Sequence, residues 1–171
     1  IVGVLFFLVG FANHRQKSKP VKSLQVEFMD ASKLFITEVE IEQILKDMIT
    51  ANGDSLMDEK RLAIFESALD ANEMIKSSEA YYSLDGKLSA KIFQREPIAR
   101  IKDKDFYYLD SEGHAMPLSK NYSSRVPMVY GIQPKDLKEI YPLLMKIQGD
   151  DFFKKHIIAI RKKSKNHYVL N

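Results

Sequence analysis

Apolar positions recur along this chain with a period that changes several times, and each change marks an element. Over residues 21–28, Leu24, Val26 and Phe28 alternate with polar neighbours, the pattern of a half-buried strand. Phe35 and Ile36 then lead into Thr37-Glu38-Val39-Glu40, a capping box in which the threonine hydroxyl and the glutamate carboxylate satisfy each other's backbone donors. Behind it Ile41, Ile44, Leu45 and Met48 share one helical stripe, and Ala51-Asn52-Gly53 supplies a glycine stop. Asp58 caps a second helix whose apolar face is Leu62, Phe65, Ala68 and Leu69. Residues 74–82 and 88–93 are extended runs, and Asp85-Gly86 between them is a strong hairpin signal. The order over 21–96 is therefore strand, helix, helix, strand, strand. Neither helix can bury its stripe alone, so both are expected to cover one face of a three-stranded sheet.

The texture changes at Gln94-Arg95-Glu96-Pro97-Ile98-Ala99-Arg100-Ile101. An Arg-Glu pair closes the preceding strand, and Pro97 fixes φ and removes a donor, which suits a strand edge or junction. Ile98 and Ile101 follow at once, so two small domains are expected to meet at a stiff hinge. Glu96, beside Arg95 and Arg100, reads as part of a hinge salt bridge. Short strands are expected over 98–101, 106–109, 114–118 and 126–130, separated by charged or glycine-bearing turns. Residues 134–148 read as helical, with Leu137, Ile140, Leu144 and Ile147 on one face; Pro142 predicts a kink or two short helices. Phe152 and Phe153 extend this unit, and 156–161 with 167–170 form a hairpin around 162–166. The fold class is α+β: a β-α-α-β-β module, then a β-rich domain with one or two helices.

Composition adds limits. The chain has 171 residues, 45% of them apolar and 29% charged, with a net charge of +3. Charges of both signs are interspersed, unlike the basic stripe of a nucleic-acid binder. Cysteine is absent, which excludes disulfides, thiolate metal sites and a cysteine nucleophile. Residues 1–12 are apolar apart from Gly3 and Gly10, and His14, Arg15, Lys17, Lys19, Pro20 and Lys22 follow as a basic collar. Twelve residues reach only about 18 Å as a helix, so 1–12 are expected to be the clipped end of a transmembrane helix and 13–20 a basic linker. By the positive-inside rule such a collar belongs in the cytoplasm.

His14, His114, His156 and His167 show no ligand spacing, so no metal site is expected. Glu38, Glu40 and Glu42 fit a cap and a solvated face. Ser119, Ser123 and Ser124 have no adjacent base, and neither a nucleophile elbow nor a phosphate-cradling glycine loop occurs. Phe106-Tyr107-Tyr108 could stack a base or sugar, but reads better as core on one face with a wet hydroxyl on the other. Arg161-Lys162-Lys163-Ser164-Lys165 could meet an anionic headgroup or polymer, but reads better as a charged hairpin turn. No catalytic, cofactor-binding or metal-binding residue is expected, no cofactor or small-molecule substrate, and no enzyme activity.

The ordered series Arg95 to Ile101, Tyr107-Tyr108-Leu109-Asp110, Glu112-Gly113, Met116-Pro117-Leu118, Arg125-Val126-Pro127 and Tyr130-Gly131 resembles the FtsQ/DivIB family of bacterial cell-division proteins, in its Bacteroides-type form. The resemblance covers roughly residues 1–170. It implies a single-pass inner-membrane protein with its bulk in the periplasm at the division septum. The collar would then lie outside the cytoplasm, opposite to the charge rule. Residues 21–96 would be a polypeptide-transport-associated (POTRA) module and 97–171 a β domain. The resemblance further implies a non-enzymatic divisome scaffold that recruits FtsB, FtsL and other division proteins, the distal end of the β domain pairing with FtsB. The family's β domain continues past the position of Asn171, so the FtsB-pairing edge is expected to be absent or incomplete here, with weaker FtsB–FtsL binding. The rival function is a POTRA-bearing component of protein transport or outer-membrane assembly, which would show repeated modules.

Overall fold

The computed structural model describes residues 21–30, 32–52, 58–165 and 167–171. The expected membrane segment, the basic linker, the Gly53 helix stop and His14 lie outside them. No described helix is long and apolar enough to cross a membrane. The fold is α+β, and the described chain forms two compact units. One comprises the residues before Lys33 together with Ile36–Gln94; the other comprises Lys33–Phe35 with Arg95–Asn171.

The first unit runs β1 (Ser23–Phe28), α1 (Glu38–Asn52), α2 (Glu59–Asp70), β2 (Ile75–Tyr82) and β3 (Lys87–Gln94). The capping box closes as its residue types predict: Glu40 Oε2 accepts from the Thr37 backbone N–H at 2.8 Å, and Thr37 Oγ1 from the Glu40 N–H at 3.3 Å. Asp58 caps α2 through the Arg61 N–H. Gly86, at φ +94°, supplies the left-handed turn residue between β2 and β3. The sheet order is β1-β3-β2, with β1 parallel to β3 and β2 antiparallel to it. Leu88, Ala90 and Ile92 of β3 point to one face, where they are buried with Ile41 and Leu45 of α1 and Phe65 and Leu69 of α2. The order and the shared helical face are those that the periodicity predicts.

The second unit runs β4 (Pro97–Lys102), β5 (Phe106–Asp110), β6 (Ala115–Met116) and β7 (Met128–Tyr130), then a 3₁₀ turn Pro134–Asp136. It continues through α3 (Leu137–Gln148), α4 (Asp151–His156), β8 (Ala159–Ser164) and β9 (His167–Leu170). Its sheet order is β6-β5-β4-β7-β8-β9. The pairs β4–β7 and β7–β8 are parallel and the others antiparallel. Parallel neighbours need a long crossover; α3 and α4 provide it between β7 and β8. Ile140, Leu144 and Ile147 of α3 bury Ala99, Ile101, Leu109, Val129 and Ile160 of the sheet. Gly131 ends β7 at φ +76°, where a Cβ would lie 3.1 Å from the Lys162 carbonyl oxygen, so both the dihedral and the space call for glycine.

Three expectations change. Pro142 lies inside one continuous helix rather than between two. Pro142 and Lys138 are both exposed, so water can solvate the Lys138 carbonyl left without its partner, while the buried stripe on both sides of the proline holds the helix to the sheet. His156 ends α4, and the strand begins only at Ala159; Asp150 accepts from the Phe152 and Phe153 N–H groups and so starts a helix there. The expected strand over 114–118 shrinks to Ala115–Met116, since Pro117 has no donor for further pairing.

Candidate interaction site

The strand edges are the surfaces on which sheets of this kind can receive a partner, and they differ in how they are closed. At the β2 edge, Glu66 of α2 accepts the Ala80 backbone N–H at 2.7 Å, and the Ser78 hydroxyl donates to Asp70 at 2.7 Å. A helix therefore already occupies one of the backbone donors that an incoming strand would need, and packs a side-chain hydrogen bond beside it. β6 has two residues, too short to template one. β1, paired only with β3 among the described residues, turns exposed Ser23, Gln25 and Glu27 to the face away from the helices, so its edge is flanked by polar side chains.

β9 is different. Ala159 and Asn171 exchange both backbone hydrogen bonds, N–H to O, at 3.2 and 2.9 Å. Antiparallel pairing alternates, so the next pair, Ile160 with Leu170, is a non-hydrogen-bonded one. The Leu170 N–H and C=O therefore point away from β8, as do those of Tyr168 opposite Lys162. Val169 and Leu170 are 36% and 43% exposed. β9 presents outward backbone groups beside apolar side chains.

This edge is held rigidly. Lys162 Nζ lies 3.0 Å from Asp136 and 2.8 Å from Glu139, and the Tyr168 hydroxyl donates to Glu139 at 2.6 Å. The β8–β9 hairpin is thereby fastened to the start of α3. Burial, then the hydrogen bond to Glu139, pushes the Tyr168 phenol up to about 12. The Glu139 hydrogen bond raises the Lys162 ammonium. The Gln133 backbone N–H, joined by Lys162, holds Asp136 below the usual carboxylate range. The surroundings are basic: residues 152–171 include Lys154, Lys155, Arg161, Lys162, Lys163 and Lys165 and no carboxylate side chain. Lys162, read from sequence as part of a free charged turn, is instead the anchor of the hairpin.

A second polar cluster surrounds the junction motif. Asp110, 1% exposed, accepts from Arg95 Nη1 at 2.8 Å through Oδ2, and from the Glu112 and His114 N–H groups at 2.9 and 2.7 Å through Oδ1. The expected Glu96 salt bridge gives way to Arg95–Asp110, because β5 returns antiparallel to β4 and brings residue 110 opposite Pro97. Asp110, Glu112 and His114 put one ligand-type atom each within 4.8 Å of one another. Sequence reasoning missed this grouping, although its i, i+2, i+4 spacing in a turn was available. The Arg95 guanidinium, 3.2 Å from His114 Nδ1 and 3.9 Å from Glu112, already lies among them.

The Phe106-Tyr107-Tyr108 run divides between faces. Tyr107 joins the core under α3. Tyr108 is 0% exposed on the opposite face, edge-on to Phe35 at 6.3 Å. Its hydroxyl accepts from Arg100 and from the Ser124 N–H at 3.0 Å. Burial would raise this phenol, but Ser123, Arg100 and the Ser124 N–H outweigh it and hold it below its ordinary value. Ser123 accepts from Arg100 at 2.6 Å, so the serines at 123 and 124 serve a packing network. Of the acidic trio near residue 40, Glu40 closes the cap and Glu42 pairs with Lys46 at 2.7 Å.

Residues 96–171 match the family described as FtsQ/DivIB, C-terminal related. No curated protein matches the chain.

Proposed function

We propose that this chain, whose residues 96–171 match the family described as FtsQ/DivIB, C-terminal related, is a non-enzymatic scaffold of the divisome that binds FtsB and FtsL by strand addition at β9. A pairing edge then lies within the chain, where the family resemblance implies an absent or incomplete one. The proposal includes a single membrane anchor, a periplasmic location at the septum, and a POTRA role for the β-α-α-β-β unit. The observation that carries it is the outward-facing backbone of Tyr168 and Leu170, within the matched segment. Strand addition draws affinity from main-chain hydrogen bonds and specificity from alternate side chains; here Val169 and the basic hairpin would select an apolar, acidic strand.

The geometry defines a selective test. Leu170→Pro removes a donor that points outward and leaves the β8 ladder intact, a position where an edge strand tolerates proline. Titration of the chain with the FtsB–FtsL ectodomains should show binding that Leu170→Pro reduces by about tenfold or more, on the order of the 1.4 kcal/mol or so carried by a main-chain hydrogen bond. An unchanged dissociation constant in a variant that melts like the parent would refute the β9 site.

A further inference from the structure

The register of the six-stranded sheet aligns five side chains in one row across five strands. Phe106 faces Lys102, Lys102 faces Tyr130, Tyr130 faces Arg161, and Arg161 faces Val169. Their neighbours Ile101, Val129 and Ile160 are buried under α3, so the row lies on the face opposite that helix. Lys102 Nζ lies 4.5 Å from the Phe106 ring centroid, and the Arg161 guanidinium 5.4 Å from that of Tyr130. Phe106 is 39% exposed, Arg161 is exposed, and Lys102 and Tyr130 are half-buried. Arg161 forms no ion pair among the described residues. Rings and cations alternate along the row, and its length is about 19 Å at the spacing of neighbouring strands.

We propose that this row binds an acidic glycan strand laid across β5, β4, β7, β8 and β9, carrying one carboxylate on about every second sugar. Lys102 and Arg161 stand two strands apart, about 10 Å, close to the length of a disaccharide. A carboxylate at that repeat meets each cation in turn. A nucleic-acid strand places a phosphate about every 3.4 Å along a duplex, far denser than the row. Base stacking also needs open ring faces, and cations already lie over both rings. Ring edges carry the positive end of the aromatic quadrupole, so they suit sugar hydroxyl oxygens. An acidic peptide would instead run along an edge, where its backbone can pair. The row uses faces rather than the β9 edge, so this inference stands independently of strand addition there.

The test is a heteronuclear NMR titration of the 171-residue chain with short hyaluronan oligomers, in which every second sugar carries a carboxylate, with the methyl-esterified oligomer, polyglutamate and single-stranded DNA as comparison arms. Shifts should concentrate at Phe106, Lys102, Tyr130 and Arg161, and vanish with the methyl ester. Arg161→Glu should weaken binding about tenfold or more, while Lys155→Glu, an equal change of charge on α4, should alter it less than about twofold. Equal losses in the two variants, tighter binding of polyglutamate or DNA, or no binding of the hyaluronan oligomer by the parent chain would overturn the proposal.

Discussion

Leu45 and Phe65, each 1% exposed, meet between the two helices and the first sheet. Truncating either to alanine should cost about 2 to 5 kcal/mol, the transfer term plus the cavity left behind. Denaturant melts of purified variants measure this, and losses under about 0.5 kcal/mol at both sites would contradict the packing. These core residues were legible in the sequence because a helical stripe is a local signal, as was the Thr37–Glu40 cap. The Arg95–Asp110 pair and the burial of the Tyr108 hydroxyl were not. Each depends on which strand lies beside β4, and that is fixed by sheet order rather than by spacing along the chain.

At the scale of elements, α3 carries an exposed proline that its packing overrides. Pro142→Ala restores the Lys138 hydrogen bond, and proline is about 3 kcal/mol worse than alanine inside a helix, offset by roughly 1 kcal/mol of lost unfolded-state restriction. The variant should be more stable by about 2 kcal/mol in a thermal or urea melt; an unchanged or lower stability would show that the helix is built around the proline. The sequence left a kink and a division into two short helices both open here, because Pro142 was weighed without the sheet beneath it. The hairpin fastening gives a pH dependence. The Tyr168 phenol is raised from about 10 in the unfolded chain to about 12 when folded. Folding therefore favours its protonated form, so its contribution is complete below about pH 10 and is lost as pH rises toward about 12. Stability of the parent should fall across that interval more steeply than that of Tyr168→Phe, which has no phenol to titrate. Parallel curves would place Tyr168 outside the Glu139 contact.

For the whole molecule, the order of elements along the first unit and the helical faces that meet its sheet followed from periodicity, because each helix has one apolar stripe; the central place of β3, paired in parallel with β1 from far along the chain, did not. The second unit was legible as a set of short strands but not as one mixed sheet. Its parallel pairs join residues far apart in sequence, such as Lys102 with Tyr130 and Tyr130 with Arg161. The basic run at 161–165 could not be divided in advance into Lys162, turned toward α3, and Arg161, turned to the other face. That division follows from strand alternation once Ile160 is seen to be core. It also separates the hairpin's anchor from the surfaces that remain for partners.

The central claim, that this chain acts in cell division, is tested most directly by depleting the protein in its native host while imaging cell length and a fluorescent fusion of the full protein. The account predicts long, unseptated filaments on depletion and a band of fusion protein at midcell in dividing cells. Cells that keep dividing at normal length after depletion, with the fusion spread evenly around the envelope, would contradict it.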